Sequence, residues 1–402
     1  MRDAIEPAVV EVSRRRTGFG PAPDVEALRD GTGIARVPTP FGPPAWLLTR
    51  HEDVRRMLGD TTGFRNGWTT ADLSGGAARD PRQLSGDGSG NLLSMDPPDH
   101  NRLRRMLTPE FTVRRMRRLE PRIVEIVEQH LDELERRGSP ADLVSQYALP
   151  IPSLVICELL GVPGADRDEF QERTRRQLDL TASVEEKAEL GREAQAYMAD
   201  LVRRARHAPG DDLIGMLIRE HDEKLSNAEL IGVANLLLVA GHETTSNMLG
   251  LGTLALLRHP DQLAAVRDDP ESVEGAVEEL MRWLSVVNSG SPRMATRDVE
   301  LGAVTIRRGD LVSFNLPAAN RDSALVEHPE RFDISRSAGP HLGFGHGLHH
   351  CLGAPLARME MRIAFPALLR RFPALRLAVP EDEVAWASDH AIYGLEELPV
   401  AW

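Results

Sequence analysis

Apolar residues recur every three or four positions along most of the chain, which predicts a mainly α-helical protein. Alternation of apolar and polar residues is confined to short stretches, which predict a small β region at approximately 35–49 and 286–316 together with the carboxyl-terminal tail. We expect a single domain over residues 1–402, of the class mainly α with a small β region. The helical spacing is clearest in these segments: 122–137, 151–160, 167–180, 185–207 and 226–257.

The segment 226–257 is the longest stretch of low charge, and as one helix it would extend about 48 Å. It contains Asn235, His242 and Glu243, which a buried helix tolerates better than a membrane-spanning one. The amino terminus lacks the apolar run of a signal peptide. We therefore expect a cytoplasmic protein with no membrane partner.

Composition narrows the classes of partner. The chain has 402 residues, 41% of them hydrophobic, which suffices for a large core. Its 48 basic and 61 acidic residues give a net charge of −13, which argues against a nucleic-acid partner. Segment 102–118 is a local exception, because Glu110 is its only acid among several arginines. This patch suits an acidic electron carrier, with an ordinary solvated helix face as the alternative; the candidate contacts are Arg102, Arg105, Arg114 and Arg115.

The two cysteines lie in different surroundings. Cys157 sits in the apolar run LVICELL and is predicted to be a core residue. Cys351 follows the glycine-rich stretch 343–347 and precedes a predicted helix over 352–371, with Pro355 in the first turn. A cysteine at the start of a helix feels the positive end of the dipole, which favours the thiolate. Cys351 is therefore a candidate soft anionic ligand.

The residue types alone leave three interpretations of this loop open. The first is inert packing. The second is a zinc site. Zinc ligands usually come as closely spaced pairs from two separate parts of the chain, and no second pair occurs here. The third is an axial thiolate for haem iron. The zinc candidates are His341, His346, His349, His350 and Cys351.

Residues 344–353 have the order Phe-Gly-x-Gly-x-His-x-Cys-x-Gly, which resembles the haem-binding loop of the cytochrome P450 family. The resemblance extends over roughly 35–402. It implies a triangular helical prism, with a long central helix lying over haem b. It also implies that Cys351 is the axial ligand of the iron and that dioxygen is the co-substrate.

The middle of the long helix reads Ala240-Gly241-His242-Glu243-Thr244. A threonine can bond back to the carbonyl four residues earlier, and a glycine permits a local widening of the helix. An acid beside an alcohol can deliver protons. The resemblance implies that Glu243 and Thr244 are the acid–alcohol pair of the family and that Gly241 opens the groove for dioxygen, with Glu243 standing where aspartate is commoner.

Two basic residues four apart, His100 and Arg104, share one helical face and suit a pair of anionic groups. On spacing alone, a solvated basic face explains them equally well. The resemblance assigns both of them to a haem propionate, together with Arg293. The predicted cofactor contacts are His100, Arg104, Arg293, His349, Phe344, Gly345, His341 and Ala240.

Glu279 and Arg282 lie three apart on one helical face, a pairing that is common and weak on protein surfaces. Some fifty residues later, Arg331 occurs in the sequence Pro-Glu-Arg-Phe. The resemblance implies that Glu279, Arg282 and Arg331 form a buried triad, which supports the cysteine loop without taking part in chemistry.

The long polar stretch 62–90 is typical either of a mobile cover over a pocket or of a surface loop. We expect the pocket to be formed by four parts of the chain: the segment after residue 90, the long helix, the segment after residue 285 and the carboxyl-terminal tail. Its candidate residues are Asn91, Leu92, Leu93, Leu237, Val239, Ala240, Val286, Val287, Asn288 and Ile392.

The resemblance implies a haem-thiolate monooxygenase that hydroxylates or epoxidises a bulky apolar secondary metabolite of macrolide or polyketide type. Electrons would come from NAD(P)H through a ferredoxin reductase and an acidic ferredoxin, and we expect a monomer. One alternative is oxidative coupling, of phenols or of carbon centres, on a peptide or aromatic product. A non-catalytic haem-binding sensor or carrier and a zinc hydrolase are the alternatives of other classes.

Overall fold

The computed structural model describes residues 8–39, 42–68, 89–167, 169, 176, 183–302, 304–337, 339–388, 390 and 392–402. Helices account for most of these residues, as the apolar spacing predicts. The helices are α1 (Pro23–Asp30), α2 (His51–Gly59), α3 (Asp99–Leu107), α4 (Val113–Met116), α5 (Glu120–Arg137), α6 (Pro150–Leu160), α7 (Val184–His207), α8 (Leu213–His221), α9 (Asn227–Leu257), α10 (Pro260–Asp268), α11 (Ser272–Leu284), α12 (Leu316–Asn320) and α13 (Ala354–Arg371).

The β region is small and lies mostly in the two predicted stretches, with short strands also at 64–65, 141–142 and 376–377. A mixed sheet has the order β1-β2-β8-β5-β3, a second sheet joins β4, β10 and β9, and β6 pairs with β7. The strands are β1 (Ile34–Thr39), β2 (Gly42–Leu48), β3 (Phe64–Arg65), β4 (Ala141–Asp142), β5 (Arg293–Ala295), β6 (Val299–Leu301), β7 (Val304–Ile306), β8 (Leu311–Phe314), β9 (Arg376–Leu377) and β10 (Pro399–Ala401). The fold class mainly α with a small β region is thus confirmed.

Helix α9 is the central element of the molecule. It begins at a capping box, in which the Ser226 hydroxyl accepts from Glu229 N–H and the Glu229 carboxylate accepts from Ser226 N–H. It packs against α6, α7 and α13. Its 31 residues form one continuous helix. A Cβ at Gly241 would lie 3.0 Å from the Ile156 side chain, so this glycine permits close packing of α6.

Two hydrophobic clusters meet near the predicted pocket. The larger one is built from the helices, and the smaller one lies between the mixed sheet and α2. Val287 is half-buried and packs against both clusters. No helix in the described ranges is long and apolar enough to cross a bilayer. Most of the predicted helix over 167–180 and most of the predicted cover over 62–90 lie outside the described residues.

Candidate active site

The loop before α13 depends on glycines that no other residue could replace without strain. Gly345 and Gly347 have φ values of +71° and +70°, in the left-handed region. A Cβ at Gly347 would lie 2.6 Å from the carbonyl oxygen of Leu58. The loop closes when Cys351 N–H donates to Phe344 O at 2.9 Å. This closure places Cys351 at the amino-terminal end of α13.

The Cys351 sulfur lies beside two backbone amides and two cations. Burial raises the pKa of the thiol and is the largest effect, and the amides of Gly353 and Ala354 and the charges of Arg104 and Arg358 oppose it. These amides are otherwise unsatisfied donors of the first helical turn, as expected for a helix that starts at Ala354. The other cysteine, Cys157, is buried, and burial raises its pKa to about 12. Only Cys351 therefore has the surroundings of a thiolate ligand among the two cysteines.

Four cationic or potentially cationic side chains converge beside this loop: His100, Arg104, Arg293 and His349. The His100 and His349 rings lie 4.5 Å apart, and the His349 ring nitrogen Nε2 contacts the Asn66 amide nitrogen at 2.8 Å. Arg104 Nη2 donates to His350 O at 2.7 Å. Arg293 is buried and donates to the carbonyl oxygens of Met57 and Leu58.

Among the described residues, Arg104 and Arg293 donate to backbone carbonyl oxygens and form no ion pair with a carboxylate. Burial, reinforced by the charges of His100, Arg293 and Arg104, lowers the pKa of His349 to about 3. Burial lowers the pKa of Arg293 to about 10, with Asp96 as the opposing charge. Neither His100 ring nitrogen has a hydrogen-bond partner of good geometry among the described residues. Buried cationic groups normally have anionic partners, and two carboxylates of a bound cofactor fit this place.

His341, which is predicted to contact the cofactor, supports the cysteine loop. Its Nε2 contacts the Glu278 carboxylate at 3.1 Å and its Nδ1 accepts from Gly343 N–H. Glu278 also binds Arg358 through Nε and Nη2 at 2.5 and 2.8 Å. The Arg358 guanidinium in turn lies 4.3 Å from the centre of the Phe344 ring. These contacts join α11, α13 and the cysteine loop.

The predicted triad forms with a different third member. Glu279 and Arg282 make a buried bidentate pair, with N–O distances of 2.7 and 2.8 Å. The Arg331 side chain is 72% exposed and lies 3.9 Å from Asp333, while its backbone carbonyl accepts from Arg282 at 3.3 Å. Arg336, only 17% exposed, points its Nε at Glu279 Oε1 at 3.5 Å. The assignment of the Arg331 side chain to the triad is therefore wrong, because the chain turns after 331 and brings Arg336 inward.

The acid and the alcohol on α9 have distinct environments. Glu243 is buried, and burial raises the pKa of its carboxyl group to about 7. Its Oε2 has no hydrogen-bond partner in the described part of the chain. Thr244 is half-buried, and its hydroxyl donates to Ala240 O at 2.7 Å, as the sequence predicts. Ala240 itself is exposed on the helix surface.

The candidate pocket residues are not equally accessible. Leu92, Leu237 and Val286 are buried in the main hydrophobic cluster, whereas Leu93 is 49% exposed. The Asn91 side chain accepts from Leu93 N–H and so caps a short helix at 92–94. The remaining candidates are half-buried: Val239, Val287, Asn288 and Ile392. Segment 286–288 and the tail meet directly, through a β-bridge between Val287 and Ile392.

Two of the four arginines predicted to face a partner form ion pairs within the chain. Arg102 pairs with Glu229 and donates to Lys224 O at 3.0 Å, which fastens α3 to the start of α9. Arg115 pairs with the buried carboxylate of Glu110 at 3.2 Å. Both are half-buried, so part of their charge is used within the chain, and their assignment to a docking face stays a prediction. Arg105 and Arg114 are exposed.

The zinc interpretation lacks a geometric basis. Within the ranges that the structure describes, no three His, Cys, Asp or Glu side chains converge as a metal site. Sequence reasoning also passed over several residues that shape the site. Arg358 belongs to the same motif as Cys351 and could have been singled out from it, whereas Asn66, Glu278 and Arg336 reach the site only through tertiary contacts.

Comparisons with known proteins agree with this geometry. The family model described as Cytochrome P450 matches residues 185–390. Cytochrome P450 FAS1 of Rhodococcoides fascians is 49% identical, with 98% of this chain and 99% of that protein covered. The mycinamicin IV hydroxylase/epoxidase of Micromonospora griseorubida is 44% identical, with coverages of 93% and 94%. The solved structure of P450 StaH, from the biosynthesis of a glycopeptide antibiotic, has a TM-score of 0.88 and 44% identity, with coverages of 98% and 100%.

Proposed function

The chain belongs to the cytochrome P450 family, and from this premise we propose that it hydroxylates or epoxidises a bulky apolar secondary metabolite of macrolide or polyketide type, as a haem-thiolate monooxygenase. One observation carries the proposal: Cys351 receives two helix amides beside Arg104 and Arg293, which form no ion pair with a carboxylate among the described residues. The similarity to a mycinamicin hydroxylase/epoxidase supports the substrate class.

The residues present fit haem b. Cys351 would ligate the iron, and His100, Arg104, Arg293 and His349 would hold the carboxylates. When bound, a haem with a thiolate ligand supplies the reductive cleavage of dioxygen. The Phe344 ring and the Arg358 guanidinium stacked on it cover one side of the cysteine loop. The Glu278 carboxylate fixes that guanidinium in place.

Proton handling is the part that we assign to α9. A carboxyl group with a pKa of about 7 holds its proton near neutral pH and also releases it readily, which suits a general acid. The Thr244 hydroxyl donates to Ala240 O, so its oxygen remains able to accept a hydrogen bond. Glu243 and Thr244 would together hold and pass protons toward the site of dioxygen reduction.

We assign electron delivery to an acidic ferredoxin that is reduced by NAD(P)H through a reductase. Arg105 and Arg114 are exposed, and Val113 beside them is a large apolar residue that is also exposed. A positive rim around an apolar contact suits an acidic protein partner. The neighbouring Arg104 donates to His350 O in the cysteine loop, which supports docking on the cysteine side of the site.

Thr244→Ala tests the proton assignment, with Thr253→Ala as the matched control. Thr253 lies on the same helix and makes the same back-bond, to Leu249 O at 2.8 Å. After substrates are found by their shift of the haem spin state, product, NADPH consumption and hydrogen peroxide are measured together. Thr244→Ala should lower product per NADPH by about tenfold or more and release peroxide, while Thr253→Ala keeps the wild-type ratio. A wild-type ratio in Thr244→Ala would overturn the assignment.

Oxidative coupling on a peptide is the second candidate, because the chain resembles StaH over nearly its whole length. The two functions differ in the product. Hydroxylation or epoxidation adds one oxygen atom to the substrate, whereas coupling removes two hydrogen atoms and adds none. Mass spectrometry of products from a macrolide panel and a peptide panel therefore separates them, and binding without any product would favour a sensor or carrier.

A further inference from the structure

An arginine near the amino terminus is buried at the junction of two segments of the candidate pocket. Arg16 is 1% exposed. Its Nε donates to Gly20 O at 2.9 Å, and its Nη2 donates to Phe19 O at 2.9 Å. The segment 16–20 is thus folded around the guanidinium, which leaves the remaining N–H groups free to bind elsewhere.

Those N–H groups bind the carboxyl-terminal end of α11. Arg16 Nη2 donates to Leu284 O at 2.8 Å and Nη1 donates to Ser285 O at 3.0 Å. The last carbonyls of a helix lack intrahelical partners and favour a nearby cation. Ser285 has φ +44°, a left-handed conformation that a serine rarely adopts, and here the chain turns into 286–292. Arg16 therefore stabilises a strained turn that sets the direction of a pocket segment.

Arg16 also reaches into that segment. Its Nη1 contacts the Asn288 side-chain oxygen at 3.2 Å. The backbone of Asn288 is held from the opposite side, because Leu316 N–H donates to Asn288 O at 2.9 Å. Asn288 is only half-buried, so its position depends on these two contacts more than on packing.

The carboxyl-terminal tail is fastened to the same segment 16–20. The Arg16 guanidinium lies 4.0 Å from the centre of the Tyr393 ring, and the Tyr393 hydroxyl exchanges hydrogen bonds with both backbone groups of Gly18 at 2.8 Å. Ser388 Oγ donates to Arg16 O at 2.6 Å. Tyr393 N–H then donates to Val286 O at 2.8 Å, which joins the tail to the segment after α11.

We propose that Arg16 is a positioning residue that fixes segment 286–288 against the tail at 392–393 and thereby sets which bulky ligands the pocket accepts. The inference rests on the proposed function, because those two segments line a ligand pocket only if the haem lies beside them. Arg16 does not touch the ligand. Its effect is on the relative placement of Val287 and Ile392, whose bridge spans the two segments.

The test compares Arg16→Lys with Arg321→Lys. Lysine keeps the charge but cannot reproduce the planar fork that binds several carbonyls at once. Arg321 is a matched control, because it is buried and donates to Phe19 O and Trp283 O but contacts neither pocket segment. The probes are imidazole, which needs only the iron, and 4-phenylimidazole, whose ring must also fit the pocket. Both are titrated by the Soret shift, and amide hydrogen exchange is followed in 286–288 and 392–393.

Arg16→Lys should weaken 4-phenylimidazole by about fivefold or more, leave imidazole unchanged and speed exchange of the Tyr393 amide. Arg321→Lys should keep the wild-type ratio of the affinities for 4-phenylimidazole and imidazole, even if it lowers the stability of the protein. Equal ratios in the two variants, or unchanged exchange at Tyr393 in Arg16→Lys, would overturn the inference. Failure of the proposed function would look different. Wild-type protein without haem would show no Soret shift with either probe, and a haem protein of another function would bind both probes but give no oxygenated product with the macrolide panel.

Discussion

At the scale of single residues, two buried carboxyl groups lie on helices that pack against each other. Glu360 on α13 is completely buried, and burial raises its pKa well above the ordinary value. Glu243 on α9 is less deeply placed, and its pKa rises only to about 7. Both belong to helices in van der Waals contact. Of these two carboxyl groups, Glu243 is therefore the one that titrates near neutral pH.

The titration of Glu243 gives the first prediction. Because its pKa rises from 4.5 to about 7, the protonated carboxyl stabilises the folded state below pH 4.5. That stability is lost as the pH rises through about 7. In infrared difference spectra of wild type minus Glu243→Gln, the band of the protonated carboxyl should disappear with a midpoint near pH 7. Glu360→Gln serves as the control and should leave this midpoint in place; a midpoint near 4.5 would contradict the burial argument.

The cationic group gives the second prediction. Arg293 is buried without a carboxylate partner of its own, so its charge is available to a bound cofactor. Arg293→Met should speed transfer of haem to apomyoglobin by about tenfold, equivalent to about 1.4 kcal/mol. Arg297→Met is the control, because Arg297 is exposed and pairs with Asp60 at 3.0 Å. Equal transfer rates in the two variants would show that Arg293 does not hold the cofactor.

The sequence alone could identify single residues where the chemistry is local. Cys351 and its glycines lie within ten residues, so one motif contains the loop, the helix start and the ligand. The triad shows the limit of this reasoning. Arg331 and Arg336 are both arginines after α11, and only the turn between them decides which side chain faces Glu279. Arg16 lies in a segment without regular apolar spacing or a motif, so the sequence did not identify it as a residue of the site.

At the scale of elements, the apolar spacing located the helices because helical burial follows that spacing directly. The contact between elements is harder to foresee. Residues 89–90 cross α9 with backbone against backbone: a Cβ at Gly232 would lie 1.8 Å from Ser89 O, and one at Gly90 would lie 2.3 Å from Glu229 O. Two glycines distant in sequence thus share one crossing, which periodicity cannot reveal.

This crossing gives the third prediction. Gly232→Ala should destabilise the protein by about 1–3 kcal/mol, because rigid backbone opposes the added methyl group. Gly250→Ala, on the same helix, should be neutral or stabilising by up to about 1 kcal/mol, since its Cβ would make an ordinary contact of 3.6 Å with Val144. Thermal unfolding of both variants decides between these effects. A loss of stability of similar size in the two variants would assign the cost to the helix interior instead of the crossing.

At the scale of the whole molecule, a positive face stands out against a net charge of −13. The sequence identified the patch but could not separate the arginines that bind within the chain from those that are exposed. Arg102 pairs with Glu229, which is distant in sequence, and Arg115 pairs with Glu110, which is buried. Arg105 and Arg114 remain exposed.

The exposed arginines give the fourth prediction. Arg114→Glu should lower the second-order rate of reduction by an acidic [2Fe–2S] ferredoxin and flatten its dependence on ionic strength, because complementary charge speeds encounter. Arg203→Glu is the control for net charge, since Arg203 is exposed on α7. Stopped-flow reduction at several salt concentrations measures both effects. If Arg203→Glu slows reduction as much as Arg114→Glu does, overall charge and not this face directs the encounter.

The central claim is that Cys351 provides the thiolate ligand of a haem. The most direct test is the absorbance spectrum of the reduced protein with and without carbon monoxide, for wild type, Cys351→Ser and Cys157→Ser. Wild type and Cys157→Ser should show the strongly red-shifted Soret band of a thiolate-ligated haem, and Cys351→Ser should lack it. A wild-type spectrum without haem, or with the band typical of histidine ligation, would contradict the account.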